Sequence, residues 1–338
     1  YVKEIDLALT ELKKVTDETE SSYNRFLKTA SEASSKIGST VSDFTDATAS
    51  FARLGYSMDE AANMAETAII YKNVADGLDS VEESSESIIS TMMAFGIQAN
   101  DTLSIVDKFN AVGNSFAITS AGIGDALQRS ASALYSAGND IDESVALVTA
   151  ANSVVQNPEQ VGNALKTLAL RLRGAKTELE EAGLETDNMA ESTSTLQAKL
   201  KALTHGKVDI MLDPDTFKST TQILREMAGA WEDMTDIERA AALELMGGKR
   251  QANILSSVIT NFETVEDVIE TSMNSAGSAY AENEKWMDSI EGKSYQLTNA
   301  LETMWANFID SGTVKIFLDA LTSIVKGLDT VPGKIAAV

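Results

Sequence analysis

The chain has 338 residues, a formal net charge of −24 and no cysteine. A disulfide framework and a cysteine-ligated metal are therefore excluded, and a sequence-independent grip on DNA or RNA is disfavoured, because such binding needs cations to displace phosphate counterions. With 43% hydrophobic residues the chain can build a core, and with only 6% aromatics and 3 prolines it favours helices over sheets, so the expected class is all-α.

No basic region followed by an apolar run follows Tyr1, so no signal peptide is expected, and the chain reads as an excised portion of something longer. Residues 1–37 read as one long N-terminal helix. Val2, Ile5, Leu9, Leu12 and Val15, then Tyr23, Phe26, Leu27 and Ala30, recur at spacings of three and four, the pattern of a helix face or a coiled-coil seam. Gly38 ends it. Helices follow at 41–54, 57–75 and 79–95, with a shorter one after Asn100 and a connection punctuated by Gly113, Gly122 and Gly124. Three more are expected at 125–137, 140–156 and 158–173, the last opened by Asn157 as cap and Pro158 at the first helical position.

These two sets of helices repeat one another. Gly55-Tyr56-Ser57-Met58-Asp59-Glu60 returns as Gly138-Asn139-Asp140-Ile141-Asp142-Glu143, a displacement of 83 residues, and Ser57 with Glu60 and Asp140 with Glu143 both spell a capping box. We expect a duplicated helix-Gly-helix unit, with copies at roughly 41–96 and 125–174. Such a unit is first a packing device, since each helix must bury an apolar face.

Beyond Gly174 the register changes. Residues 175–203 read as a charged helical arm, and 207–213 as at most one short β-ribbon, from the alternation of Val208, Ile210 and Leu212 with Asp209, Met211 and Asp213. Helices are expected again at 216–231, 235–246 and 249–260, the second capped by Thr235 and Glu238, with Gly247-Gly248 breaking the chain. A long amphipathic helix over 280–309 carries Trp286, Ile290, Leu297, Leu301, Met304, Trp305 and Phe308, and a last one, over 313–331 after Gly312, suits a core or partner contact better than a membrane surface. The expected domains are 1–37, 38–174, 175–279 and 280–338.

Candidate chemistry is thin. His205 is the only histidine, so a paired-histidine zinc site is excluded and a Ser-His-Asp triad would need this one residue. Asp209, Asp213 and Asp215 resemble the start of a calcium loop without its glycine and closing glutamate, and Asp215 reads as the N-cap of a helix beginning at Thr216. Gly247-Gly248-Lys249-Arg250 lacks the first glycine and the hydroxyl residue of a phosphate loop, and Gly122-Ile123-Gly124 lacks a preceding strand; both read as helix breaks. Lys166, Arg171, Arg173 and Lys176 read as a solvated basic face. No catalytic, cofactor-binding or metal-binding residue is assigned.

The order of segments is more informative than any motif. Ser42 to Gly55 with Ser57 to Ala62, Ile141 to Leu147, Val161 to Thr167, Gly247 to Leu255 and Ser289 to Trp305 together resemble the core region of phage tail tape measure proteins, over roughly 40–330. The resemblance implies a structural virion protein in the lumen of the tail, made in the bacterial host cytoplasm, that sets tail length and acts in tail assembly and DNA ejection. It implies tail tube, tail tip or baseplate and assembly chaperone partners, a homo-oligomer, passive proximity to DNA without sequence-specific binding, membrane contact only at infection, and neither enzymatic activity nor a cofactor. Two other classes compete. One is a peptidoglycan-cleaving hydrolase using a carboxylate pair, although no pair stands out; the other is a membrane-active helical module inserting 280–331, although charges interrupt it. An unbroken helix of this length would span on the order of 500 Å, but the glycine breaks point instead to a compact or segmentally folded region.

Overall fold

The computed structural model describes residues 2–310 together with Asp319, Thr322 and Ser323, so the helix expected over 313–331 and the break at Gly312 lie outside the described residues. The described chain is all-α apart from one two-stranded antiparallel ribbon. It divides into two compact units, one formed by residues 1–69 with 284–338 and the other by 70–283.

In the first unit, α1 (Val2–Val15) and α2 (Glu20–Ile37) pack on α3 (Val41–Ala52), and α16 (Ile290–Asp310) lies against all three. The single helix expected over 1–37 is in fact two. The Thr19 hydroxyl accepts the Ser22 N–H and starts a new helix, while the Thr16 hydroxyl turns back to the Leu12 carbonyl and closes the old one. The expected stripe is nevertheless the core of this unit: Ile5, Leu9, Leu12, Tyr23, Phe26, Leu27 and Ala30 are all buried.

The N-terminus of α3 takes its partner from far along the chain. The buried carboxylate of Glu302 on α16 accepts the N–H groups of Val41 (2.6 Å) and Ser42 (3.2 Å) and the Ser42 hydroxyl (3.0 Å). Burial pushes the Glu302 carboxyl above its ordinary value, against these hydrogen bonds, which favour the ionised form. A carboxyl with a higher pKa folded than unfolded adds stability below its unfolded value and loses it as the pH rises through the folded one. The thermal midpoint is therefore expected to gain from Glu302 as the pH falls from neutral toward the ordinary glutamate range. Calorimetry of Glu302→Gln over that range checks it: a flatter dependence is expected, and an unchanged one would exonerate Glu302.

In the second unit, α7 (Ser120–Ser136) packs on α8 (Ile141–Val155) and α9 (Pro158–Leu172), with α5 (Val81–Phe95) and α6 (Leu103–Gly113) alongside α7. Helix α13 (Asp236–Thr260) covers α8 and α9, and α14 (Phe262–Met273) covers α8 and α6. Helix α4 (Met58–Val74) precedes α5, so both copies of the repeat consist of three helices: α3, α4 and α5, then α7, α8 and α9. Gly55 (φ +92°) and Gly138 (φ +82°) take the left-handed backbone at equivalent places, and both following capping boxes form. The α3 helix belongs to the first unit and α5 to the second, whereas the whole second copy lies in the second unit.

Gly122 and Gly124 do not break a helix; they lie inside α7. A Cβ on Gly124 would run into the side chains of Ser87 and Tyr71, and one on Gly122 would press on Pro158, so these glycines serve close packing. The charged arm over 175–203 is likewise two short helices, α10 (Lys176–Glu181) and α11 (Thr193–Leu203). The ribbon pairs β1 (Met211–Asp213) with β2 (Thr216–Phe217), and the next helix, α12 (Thr220–Ala230), is capped by Ser219. Asp215 therefore caps no helix. It sits in the hairpin turn, where the Asp213 carboxylate accepts its N–H at 2.9 Å. The helix expected over 280–309 is split as well, into α15 (Ser278–Met287) and α16, with Gly292 at a turn too tight for a Cβ beside Met287.

Candidate functional site

Of the expected basic face, Lys176 is exposed and Lys166 partly so, but Arg171 and Arg173 at the end of α9 form an interior clamp. Arg171 is 1% exposed and donates through Nη1 to the Glu185 carbonyl (3.0 Å), through Nη2 to those of Asp187 (3.0 Å) and Glu244 (3.2 Å), and through Nε to that of Leu245 (3.4 Å). Arg173 donates to the carbonyls of Ala137 (2.5 Å) and Lys218 (2.8 Å) and stacks on the Phe217 ring, and burial lowers its pKa to about 10. Neither is a solvated cation.

The break at Gly247-Gly248 is real, with Gly248 at φ +75° and ψ 175° inside α13. It frees the N–H groups of Lys249 and Arg250 from the helix ladder, and the Glu185 carboxylate takes both, at 3.2 Å and 3.0 Å. The donors that a phosphate loop would offer to an anion are thus engaged by a side chain of the same protein. Two other carboxylates also join distant segments, Asp107 through backbone N–H groups and Asp142 through side chains. Asp107 on α6 accepts the N–H groups of Gly277 and Ala279 at the start of α15, and Asp142 on α8 accepts from Lys108 Nζ and the Ser272 hydroxyl. Sequence reasoning missed Glu185, Asp107 and Glu302, because nothing local marks a carboxylate that serves a helix start roughly 60 to 260 residues away.

His205 stands at φ +52°, its Nε2 2.9 Å from Glu238 Oε1, and the other oxygen of Glu238 closes the Thr235 capping box. The Thr235 N–H and hydroxyl and His205 hold the Glu238 carboxyl below its usual range. The pair is a tether between a turn and a helix start. Burial opposes ionisation of Asp209, but hydrogen bonds from Lys201, the Met211 N–H and Gln197 outweigh it and bring its pKa to about 2. Asp209 and Asp213 border a shallow cleft with Thr193 and Gln197, yet each carboxylate holds a turn, and among the described residues no cluster of three or more histidine, aspartate or glutamate side chains could hold a metal. No described helix is long and apolar enough to cross a membrane.

One surface stands apart. On α16 the expected apolar stripe faces outward: Ile290 is 89% exposed, Leu297 65%, Leu301 36% and Met304 46%, while Asn299 and Glu302 form the buried side. Trp286 instead lies half-buried against Gly38, where a Cβ would meet its ring, and the side chains of Trp305 and Phe308 fall outside the described residues.

The fold and these clusters define a class: an all-α protein whose buried polar groups clamp helix ends and whose surface presents an apolar helix face. The profile of the phage-related minor tail protein family matches residues 27–248, and the chain belongs to that family. It is a structural component of a phage tail. No solved structure matches the chain.

Proposed function

We propose that the chain is the folded core region of a tape measure protein, held in the tail lumen with tail tube, tip or baseplate and assembly chaperone proteins as neighbours, and acting in assembly and in DNA ejection. The observation that carries this reading is the family match across a helical array, supported by the order of the segments from Ser42 to Trp305. The protein works through surfaces rather than turnover, a reading supported by the engagement of Glu185, Glu302, Asp107 and Glu238 at helix starts. Its net charge of −24 suits a chain that stays beside DNA without adhering to it.

Electron microscopy of tails from a parent phage lacking residues 125–174 tests the proposal. These residues are most of α7 with α8 and α9, the centre of the second unit, so absent or irregular tails are expected. Regular tails shortened by about 75 Å, the rise of that many helical residues, would make this region an extended part of the ruler instead. Normal, infectious particles would overturn a tail-assembly role.

A further inference from the structure

The displacement of 83 residues that relates the two copies holds upstream of them as well. Thr19 and Thr102 open α2 and α6, Phe26 and Phe109 are both buried, Arg25 matches Lys108, and Asp59 on α4 matches Asp142 on α8. Helix α2 and the start of α4, in the first unit, are thus the counterparts of α6 and the start of α8 in the second. In the second unit α14 packs on both α6 and α8, with Phe262, Val265, Val268 and Ser272 on its buried side. Charge grips its last turn. The Asp142 carboxylate accepts the Ser272 hydroxyl, and Lys108 Nζ donates both to Asp142 and to the Ser272 carbonyl.

The counterpart groove of the first unit is open. A cleft of about 390 Å³ lies there, walled by Ser22, Arg25 and Thr29 of α2 and by Met58, Asp59 and Ala62 of α4, with Phe26 as its floor. Arg25 and Asp59 stand where Lys108 and Asp142 grip α14, but both are exposed. Among the described residues the Arg25 guanidinium reaches only the Ser22 hydroxyl, at 3.5 Å, and the Asp59 carboxylate has no hydrogen bond or ion pair. Where the second unit has the buried Ile105, Val112 and Val145, this groove has Ser22, Thr29 and Ala62. Apolar walls suit a helix that is always in place; walls with hydroxyls suit one that arrives and leaves, because they meet water in between. With Glu18 and Asp59 both on its rim, the cleft repels phosphate and nucleic acid. The α14 helix of another copy is already part of the core of its own unit.

We propose that the groove between α2 and α4 is a docking site for one amphipathic helix of a second protein, seated as α14 is seated on α6 and α8. Apolar residues at i, i+3 and i+6 of that helix lie over Phe26, a serine or threonine at i+10 donates to Asp59, and Arg25 takes the carbonyl beside it, the pattern of Phe262, Val265, Val268 and Ser272.

A fluorescently labelled peptide of residues 261–277, the α14 sequence, is the probe. The receptor is the full chain, whose own α14 already fills the groove between α6 and α8. Fluorescence anisotropy is expected to show saturable binding, with Arg25→Ala and Asp59→Ala each raising the dissociation constant at least about tenfold and Ser272→Ala in the peptide raising it about fivefold. Both receptor residues are exposed, so the circular dichroism and thermal midpoint of these variants should match the parent, which separates a lost contact from a lost fold. A photo-cross-linker placed at position 29 should label the bound peptide. No saturable binding up to about 1 mM would overturn the proposal. So would binding indifferent to Arg25→Ala and Asp59→Ala, which would mean that the peptide displaces α14 from its own groove. Cross-linking from position 29 to residues 311–338 or to a second copy, in the absence of peptide, would give the groove a different occupant and overturn it as well.

Discussion

Arg171→Ala is expected to cost about 3–5 kcal/mol, enough to unfold the second unit or leave it marginal. The reason lies in the exchange at the Gly248 kink. In an unbroken helix the Lys249 N–H would bond to the Leu245 carbonyl, but here that N–H goes to Glu185 and the carbonyl accepts from Arg171 Nε. The same guanidinium serves the carbonyls of Glu185, Asp187 and Glu244. Alanine would leave these carbonyls without this donor and would remove the positive charge that Glu185, Asp187 and Glu244 attract, each acceptor left unpaired away from water costing about 1–3 kcal/mol before relaxation. Arg171→Lys should fall between, since one ammonium cannot span the planar fork of contacts. Chemical denaturation of the purified chain checks both variants. A loss below about 1 kcal/mol for Arg171→Ala would mean that water replaces the guanidinium and that the clamp is not structural.

Gly162→Ala is expected to destabilise by about 3 kcal/mol, at the upper end for an inserted methyl. In an open helix the same change stabilises by about 0.5–1 kcal/mol, so the sign itself is diagnostic. A Cβ at Gly162 on α9 would stand 2.5 Å from the carbonyl oxygen of Ala126 and 3.1 Å from its Cα on α7. These are backbone atoms, so relief requires moving α7 away from α9, and with it contacts to α5, α6 and α8. Gly229 on α12 is the control: it is exposed and a Cβ there meets nothing within 4 Å, so Gly229→Ala should stabilise the chain. Paired unfolding curves decide the matter. If both changes stabilise, α7 and α9 are not in backbone contact.

These two residues also mark where the sequence stops being readable. Arg171 and Lys166 look alike at the level of spacing and charge, yet Arg171 is 1% exposed while Lys166 is partly open to solvent. What separates them is the arrival of the 183–189 loop and of α13. Gly122, Gly124 and Gly138 are equally alike in the sequence, but only Gly138 sits at positive φ, and the other two are fixed by neighbours on α5 and α9. The stripe of 1–37 and that of α16 carry the same helical period, yet the first is core and the second faces out. Periodicity shows that a helix has an apolar side, and not which neighbour meets it.

What the sequence determined by itself was whatever closes within a turn or two: the all-α class, the capping boxes at Ser57, Asp140 and Thr235, the Asn157-Pro158 start, the breaks at Gly55, Gly138 and Gly248, and a ribbon no longer than a hairpin. Each is a contest between a few local hydrogen bonds and backbone conformations, and so is written in adjacent residues. Only the tertiary structure decided which glycines let helices touch, which arginines became interior clamps, which carboxylates reached across the chain to a helix start, and which face of α16 was left outward. Those outcomes depend on groups brought together over separations as long as the 261 residues between Val41 and Glu302, and no local pattern encodes the meeting.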